Sequence, residues 1–313
     1  MFALTLCASA TFAQTYPTKP VKIIAPYATG GVTDVLSREI ALTLTQKLGT
    51  SFVVENRPGA GGNIGLSLLA KSPADGYTLG LGAANTLAAN RFLYKSLPFD
   101  SMKDFVPVAF IGRLPFVLVV HPSVSANNLK DMIADMKAKK ASYSYGSSGV
   151  GNTAHIFGEL LKNRAGIDFV HVPYKSSGEA LRDLIAGRLE AQFITPLELA
   201  APIQRGAVKP IAIASIQRLA SLPNVPTFEQ TGFRGFESPT WFGIIAPSGT
   251  PNGILTLLNK EIREALVLSE LKTRLERGSI EPQDMSLEQF RNFLNDEVKK
   301  WEAIVKDSGV ALD

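Results

Sequence analysis

Cysteine occurs once in these 313 residues, at Cys7, and histidine three times, at His121, His155 and His171. A single thiol excludes an internal disulfide and a thiolate-rich metal centre. The three histidines stand far apart, with neither an H-x-x-x-H nor an H-E-x-x-H spacing, so no metal site is expected. Long apolar runs are also missing. After the first 13 residues no segment reaches the ~18 consecutive apolar residues of a membrane-spanning helix. Charge is sparse and nearly balanced, with 32 Lys and Arg against 28 Asp and Glu for a net of +4. The densest basic cluster (Lys137, Lys139 and Lys140) closes an expected helix, where it complements the dipole, so no nucleic-acid partner is expected.

What the chain has in quantity is apolar surface, 45% of its residues, in a length beyond that at which single cores usually stop growing. Two lobes are therefore expected. Met1–Ala13 is apolar and uncharged and ends Thr11-Phe12-Ala13, which fits the apolar core and small-residue cleavage site of a secretory signal without its basic start. The other reading of this stretch is a disordered tail.

Pro26–Asp34 (Pro-Tyr-Ala-Thr-Gly-Gly-Val-Thr-Asp) follows a strand-like run, Val21 to Ala25, and precedes a helical pattern with Leu36, Ile40, Leu44 and Leu48 on one face. Gly30 and Gly31 permit a tight turn into that helix, whose first N–H groups lack intrahelical partners and carry the positive dipole end. Such a start can hold an anion such as a carboxylate, or it can be an ordinary βα turn. Phe52–Glu55 and Tyr77–Leu81 read as further strands, Asn63 as the cap of a helix over 64–71, and Gly82–Thr86 as the opening of another helix. This β-α-β-α-β-α order argues a parallel sheet covered by helices.

Val106–Gly112 and Phe116–His121 read as a strand pair leading out of the first lobe. Tyr143–Tyr145, the small-residue turn Gly146–Thr153 and a helix bearing Ile156, Leu160 and Leu161 repeat the opening arrangement. Ser176 with Glu179 fits a capping box, as does Ser286 with Gln289 before a long C-terminal helix. Trp241–Ala246 reads as the return crossing. The expected map places residues 16–114 and 235–313 in lobe one and 115–234 in lobe two, with a ligand cleft between them.

The familiar chemical motifs fail on spacing. A G-x-G-x-x-G from Gly59 meets Ile64 where the last glycine belongs, and Gly146-Ser147-Ser148-Gly149-Val150 lacks the final glycine of a nucleophile elbow. His155, on the first turn of its helix, could face the cleft or serve the helix. No nucleophile with an adjacent base, and no pair of carboxylates in contrasting settings, can be assembled, so no catalytic residue and no cofactor is expected.

Pro26–Asp34, Asn56–Gly65, Asp75–Leu79, Ser148–His155, His171–Lys175, Leu222–Thr227 and Trp241–Pro251, in this order, resemble the Bug family, the periplasmic solute-binding proteins of tripartite tricarboxylate transporters. The resemblance implies an α/β, two-lobed, type II-like periplasmic-binding-protein fold, its lobes joined by two crossing strands and closing on a small organic acid. It implies a periplasmic location, delivery to integral membrane subunits of the transporter, and a monomer. Carried over, the ligand carboxylate falls to Gly30, Gly31 and Thr33 and to Ser147, Ser148, Asn152, Thr153 and His155. Asp34 matches the family's aspartate and is expected to cap or to hold a bridging water. Tyr27, Ala84, Ser176 and Thr195 complete the expected ligand-binding set. Val32 stands where the family often has serine, Ser176 where glycine is usual, and Thr195 where an acidic or amide residue is common. A sensor that presents its ligand to a receptor kinase, or a hydrolase using a serine of the Ser147–Ser148 pair, are the alternative functions.

Overall fold

The computed structural model describes residues 16–139, 143–236, 239–268 and 270–312. The expected leader, with Cys7, lies outside them.

The chain opens with β1 (Val21–Ala25), α1 (Val32–Leu48), β2 (Phe52–Asn56), α2 (Asn63–Ala70), β3 (Thr78–Ala83) and the short α3 (Asn90–Leu93). Leu36, Ile40 and Leu44 are fully buried along α1, as their four-residue spacing requires, and Leu48 is half-buried at the end. Gly49, at φ 68°, closes α1 in the left-handed conformation. Asn63 is not the cap of α2. Gly62, at φ 94°, takes that place, and the Asn63 side chain instead accepts a 2.6 Å hydrogen bond from Asn90. The helix expected after Gly82 begins with a wide turn over Asn85–Ala89 before α3.

β4 (Phe105–Leu114) and β5 (Phe116–Val120) follow, then α4 (Leu129–Lys139), β6 (Tyr143–Ser147), α5 (Thr153–Ala165), β7 (Phe169–Pro173), α6 (Ser177–Ile185), β8 (Ala191–Ile194), α7 (Ala200–Gln204) and β9 (Lys209–Ala214). The chain ends with β10 (Thr240–Pro247), α8 (Asn252–Leu268), α9 (Glu270–Arg277), β11 (Glu281–Pro282) and α10 (Leu287–Ser308).

Among the described residues these strands form a six-stranded sheet in the order β11-β4-β10-β3-β1-β2 and a five-stranded sheet in the order β7-β6-β8-β5-β9. β1, β2 and β3 are parallel, as their helical connections demand, but β10 runs antiparallel to both β3 and β4. The expected parallel order holds for these three strands, and β10, the return crossing from the other lobe, adds antiparallel pairings to the same sheet. β4 and β5 are not a pair either. Pro115 separates them, and each joins a different sheet.

α10 ties the lobes together. Its start carries both hydrogen bonds of the Ser286–Gln289 capping box. Farther along, Trp301 stacks on Phe157 of α5 with ring centroids 6.2 Å apart and planes at 12°. One buried apolar cluster consequently runs from Ile24 and Phe110 of the first lobe through Phe290 and Trp301 to Phe157 and Phe193 of the second.

Candidate functional site

A cavity of about 400 Å³ lies between the lobes, bounded on one side by Tyr27–Thr33 and on the other by Ser148 to Ala154 and Lys175 to Gly178. The starts of α1, α5 and α6 all border it.

At α1, Gly31 is the N-cap and receives no side-chain hydrogen bond. Gly30 reaches the turn at φ 86°, which a side chain would strain, and donates its N–H to Asp34 Oδ2 at 2.9 Å. Asp34 Oδ1 accepts from Asn56 Nδ2 at 3.0 Å and from Arg38 at 2.9 Å. Burial opposes ionisation of this carboxyl, but Arg38, the Gly30 amide and Asn56 outweigh burial and hold it below the usual carboxylate range. The charge of Asp34 thus faces back into the turn. Gly31, Val32 and Thr33, at the positive dipole end of α1, line the cavity.

The start of α5 is built differently. Asn152 Oδ1 caps it by accepting the His155 N–H at 2.9 Å, and Asn152 Nδ2 donates to Ser148 Oγ at 2.7 Å. At α6 the expected box is half made. Ser176 Oγ accepts the Glu179 N–H at 3.3 Å, whereas the Glu179 carboxylate accepts from Lys175 N rather than Ser176 N.

Tyr27, Gly30, Gly31, Thr33, Ser148, Asn152, Thr153, Ser176 and Thr195, all anticipated from sequence, line the cavity. Asp34, Ala84, Ser147 and His155 do not. Ala84 is fully buried between two lining residues, Ala83 and Asn85. Ser147 Oγ, also fully buried, donates to Gly149 O at 3.0 Å and lies 2.6 Å from His171 Nε2. His155 accepts the Gly151 N–H on Nδ1 at 3.0 Å and stacks on His171 with ring centroids 3.9 Å apart. Both serve the serine-glycine turn from behind. Burial, then the neighbouring His155, lowers His171 to about 3, so the pair stays neutral.

Sequence reasoning missed Asn85, Phe116, Lys175, Glu198, Thr240 and Phe242, which also line the cavity. Phe116 and Thr240 adjoin the two crossings, a position from which their place at the lobe junction was legible. Asn85 was not. It reaches across to Tyr27, donating to its hydroxyl, and to Gly61 O at 3.1 Å. Tyr27 and Asn90 donate to the same carbonyl, at 3.0 and 3.2 Å. The glycine-rich loop that mimics a nucleotide motif is therefore the anchor for Tyr27, whose hydroxyl is held protonated by burial.

Comparison with known proteins agrees with this architecture. Residues 36–310 match the family described as the tripartite tricarboxylate transporter family receptor, TctC. The protein BugT of Bordetella pertussis is 37% identical over 301 residues, covering 96% of this chain and 92% of its own length. A Rhodopseudomonas palustris structure with adipate is 35% identical, with a TM-score of 0.88 over 95% of this chain and 99% of that one. MatC of the same organism, with bound malate, is 28% identical, with a TM-score of 0.84 over 93% and 100%. The chain belongs to the TctC family of tripartite tricarboxylate transporter receptors, a family of two-lobed solute-binding proteins that includes the Bug proteins.

Proposed function

We propose that this protein captures a small organic carboxylate in the periplasm and delivers it to the membrane subunits of a tripartite transporter. The observation that carries the proposal is that α1 of one lobe and α5 of the other open onto the same cavity. Peptide amides at two helix starts supply fixed partial positive charge without requiring an arginine. In this reading the amides of Gly31, Val32 and Thr33 and the hydroxyls of Thr33, Ser148 and Thr153 hold the carboxylate. Phe116, Phe193 and Phe242 give the rest of the cavity an apolar wall suited to a carbon chain. The adipate and malate carried by the two relatives support the same class of ligand.

Binding without chemistry fits the site. No histidine lines the cavity among the described residues, and the serine that does meet a histidine, Ser147, is fully buried. The protein acts as a monomer, released outside the inner membrane by its apolar leader.

Titration calorimetry on protein stripped of ligand by unfolding and refolding tests this directly, using mono-, di- and tricarboxylates. One acid should bind at one-to-one stoichiometry. At a free concentration of a hundred times its Kd it should stabilise the fold by ~2.7 kcal/mol. If none of the acids binds, the proposal is wrong.

A further inference from the structure

Among the described residues lining the cavity, the only charged side chains are Lys175 and Glu198. Lys175 is exposed at the mouth, whereas Glu198 is half-buried on the turn Pro196–Glu198 after β8. A carboxylate inside a cavity meant for carboxylates repels the ligand unless the ligand brings a donor to it.

The two oxygens of Glu198 are placed unequally. Oε1 accepts from Ser177 Oγ at 2.5 Å and from Thr195 Oγ1 at 3.5 Å, which fixes the carboxylate against the start of α6. Among the described residues, the hydrogen bonds to this carboxylate all go to Oε1 and none to Oε2. Oε2 lies 3.8 Å from the place a Cβ on Gly178 would occupy, and Gly178 itself lines the cavity. The carboxylate is thus oriented by two hydroxyls with one oxygen left to accept.

We infer that Glu198 Oε2 receives an ammonium group of the ligand, so that the preferred guest is a zwitterion carrying both a carboxylate and a protonated amine. This rests on the proposed capture of a carboxylate and narrows its class. The carboxylate meets helix-start amides, and the amine meets the one fixed anionic oxygen of the cavity wall. Because Ser177 and Thr195 hold the acceptor in place, the pair contributes more than one between two mobile surface side chains does. A plain dicarboxylate of the same length would set two negative groups against each other.

Calorimetry on ligand-free protein decides it, with probes matched in length: 4-aminobutyrate against succinate, 5-aminopentanoate against glutarate, 6-aminohexanoate against adipate, together with the α-amino acids. At least one amine-bearing acid should bind tenfold or more tightly than every dicarboxylate. In Glu198→Gln, which keeps an oxygen for Ser177, that preference should fall at least tenfold while dicarboxylate affinity holds or rises. Tighter binding of dicarboxylates to the wild type overturns the inference and leaves carboxylate capture standing. So does an amine preference unchanged in Glu198→Gln, provided the variant's melting temperature matches the wild type. If no acid of either kind binds, carboxylate capture itself fails, and this inference with it.

Discussion

At the scale of single residues, the site is held by buried polar groups whose partners lie far off in sequence. Asp34 shows why this is hard to read from a sequence. Its residue type and place in the Gly30-Gly31 turn were visible, but its triple engagement with Gly30, Asn56 and Arg38 depends on β2 lying beside β1. His155 misled in the opposite sense: the first turn of a helix at a cleft suggests a ligand contact, yet its ring packs on His171 behind the turn. That pair makes a pH prediction. Burial, with His155 adding to it, lowers His171 to about 3, whereas an unfolded chain binds a proton near the ordinary ~6.5. Between these values the unfolded state holds the extra proton, so stability is full above ~6.5 and declines as pH falls toward 3. Denaturant unfolding from pH 7 to 4 should show that decline. In His171→Gln, which keeps a polar group near Ser147, the slope should be shallower by about one proton. An unchanged slope would contradict the buried neutral imidazole.

At the scale of elements, the periodic helices and apolar strands were largely legible, because burial of Leu36, Ile40 and Leu44 or of Tyr143 and Tyr145 follows from spacing alone. The misreadings fall where a long-range partner overrides a local preference. Asn63 would cap a helix well, but Asn90 engages its side chain and Gly62 starts the helix instead. The direction of β10 was likewise beyond local pattern, since alternation and β-branching do not tell parallel from antiparallel. Gly158 in α5 sets the two levels against each other. Helix propensity favours alanine over glycine by ~1 kcal/mol in a helix interior. A Cβ at 158 would stand 2.1 Å from the ring of Tyr145, and that ring is fully buried, its hydroxyl held between two acceptors, His155 O at 3.1 Å and Glu159 Oε1 at 2.9 Å. Overpacking of this kind costs about 1–3 kcal/mol, so Gly158→Ala should lower stability despite the better helix former. A raised melting temperature would show that Tyr145 can yield.

At the scale of the molecule, two sheets joined by narrow crossings suggest two folding units, but the core is shared. Trp301 of α10 is fully buried against Phe157 of the second lobe. The buried carboxylate of Glu297 accepts from Trp301 Nε1 at 3.2 Å and from Trp241 Nε1 of the return strand at 2.8 Å, with Lys300 beside it at 2.7 Å. In the last turn of the helix, Asn163 of α5 donates to Ser308 O at 2.8 Å, and Arg164 pairs with Asp307 at 2.7 Å. α10 thus packs against both sheets' neighbours at once, and neither lobe can lose it without exposing aromatic surface. The wild type should therefore unfold in one transition, with calorimetric and van't Hoff enthalpies equal. Trp301→Ala removes the large side chain that bridges α10 to α5, at a cost of ~3–5 kcal/mol for a buried aromatic. It should also divide the melt into two steps, since the single Asn163–Ser308 hydrogen bond and the exposed Arg164–Asp307 pair are too weak to couple the lobes alone. Two steps already present in the wild type would mean that each lobe carries its own core, and that α10 only rests on the second.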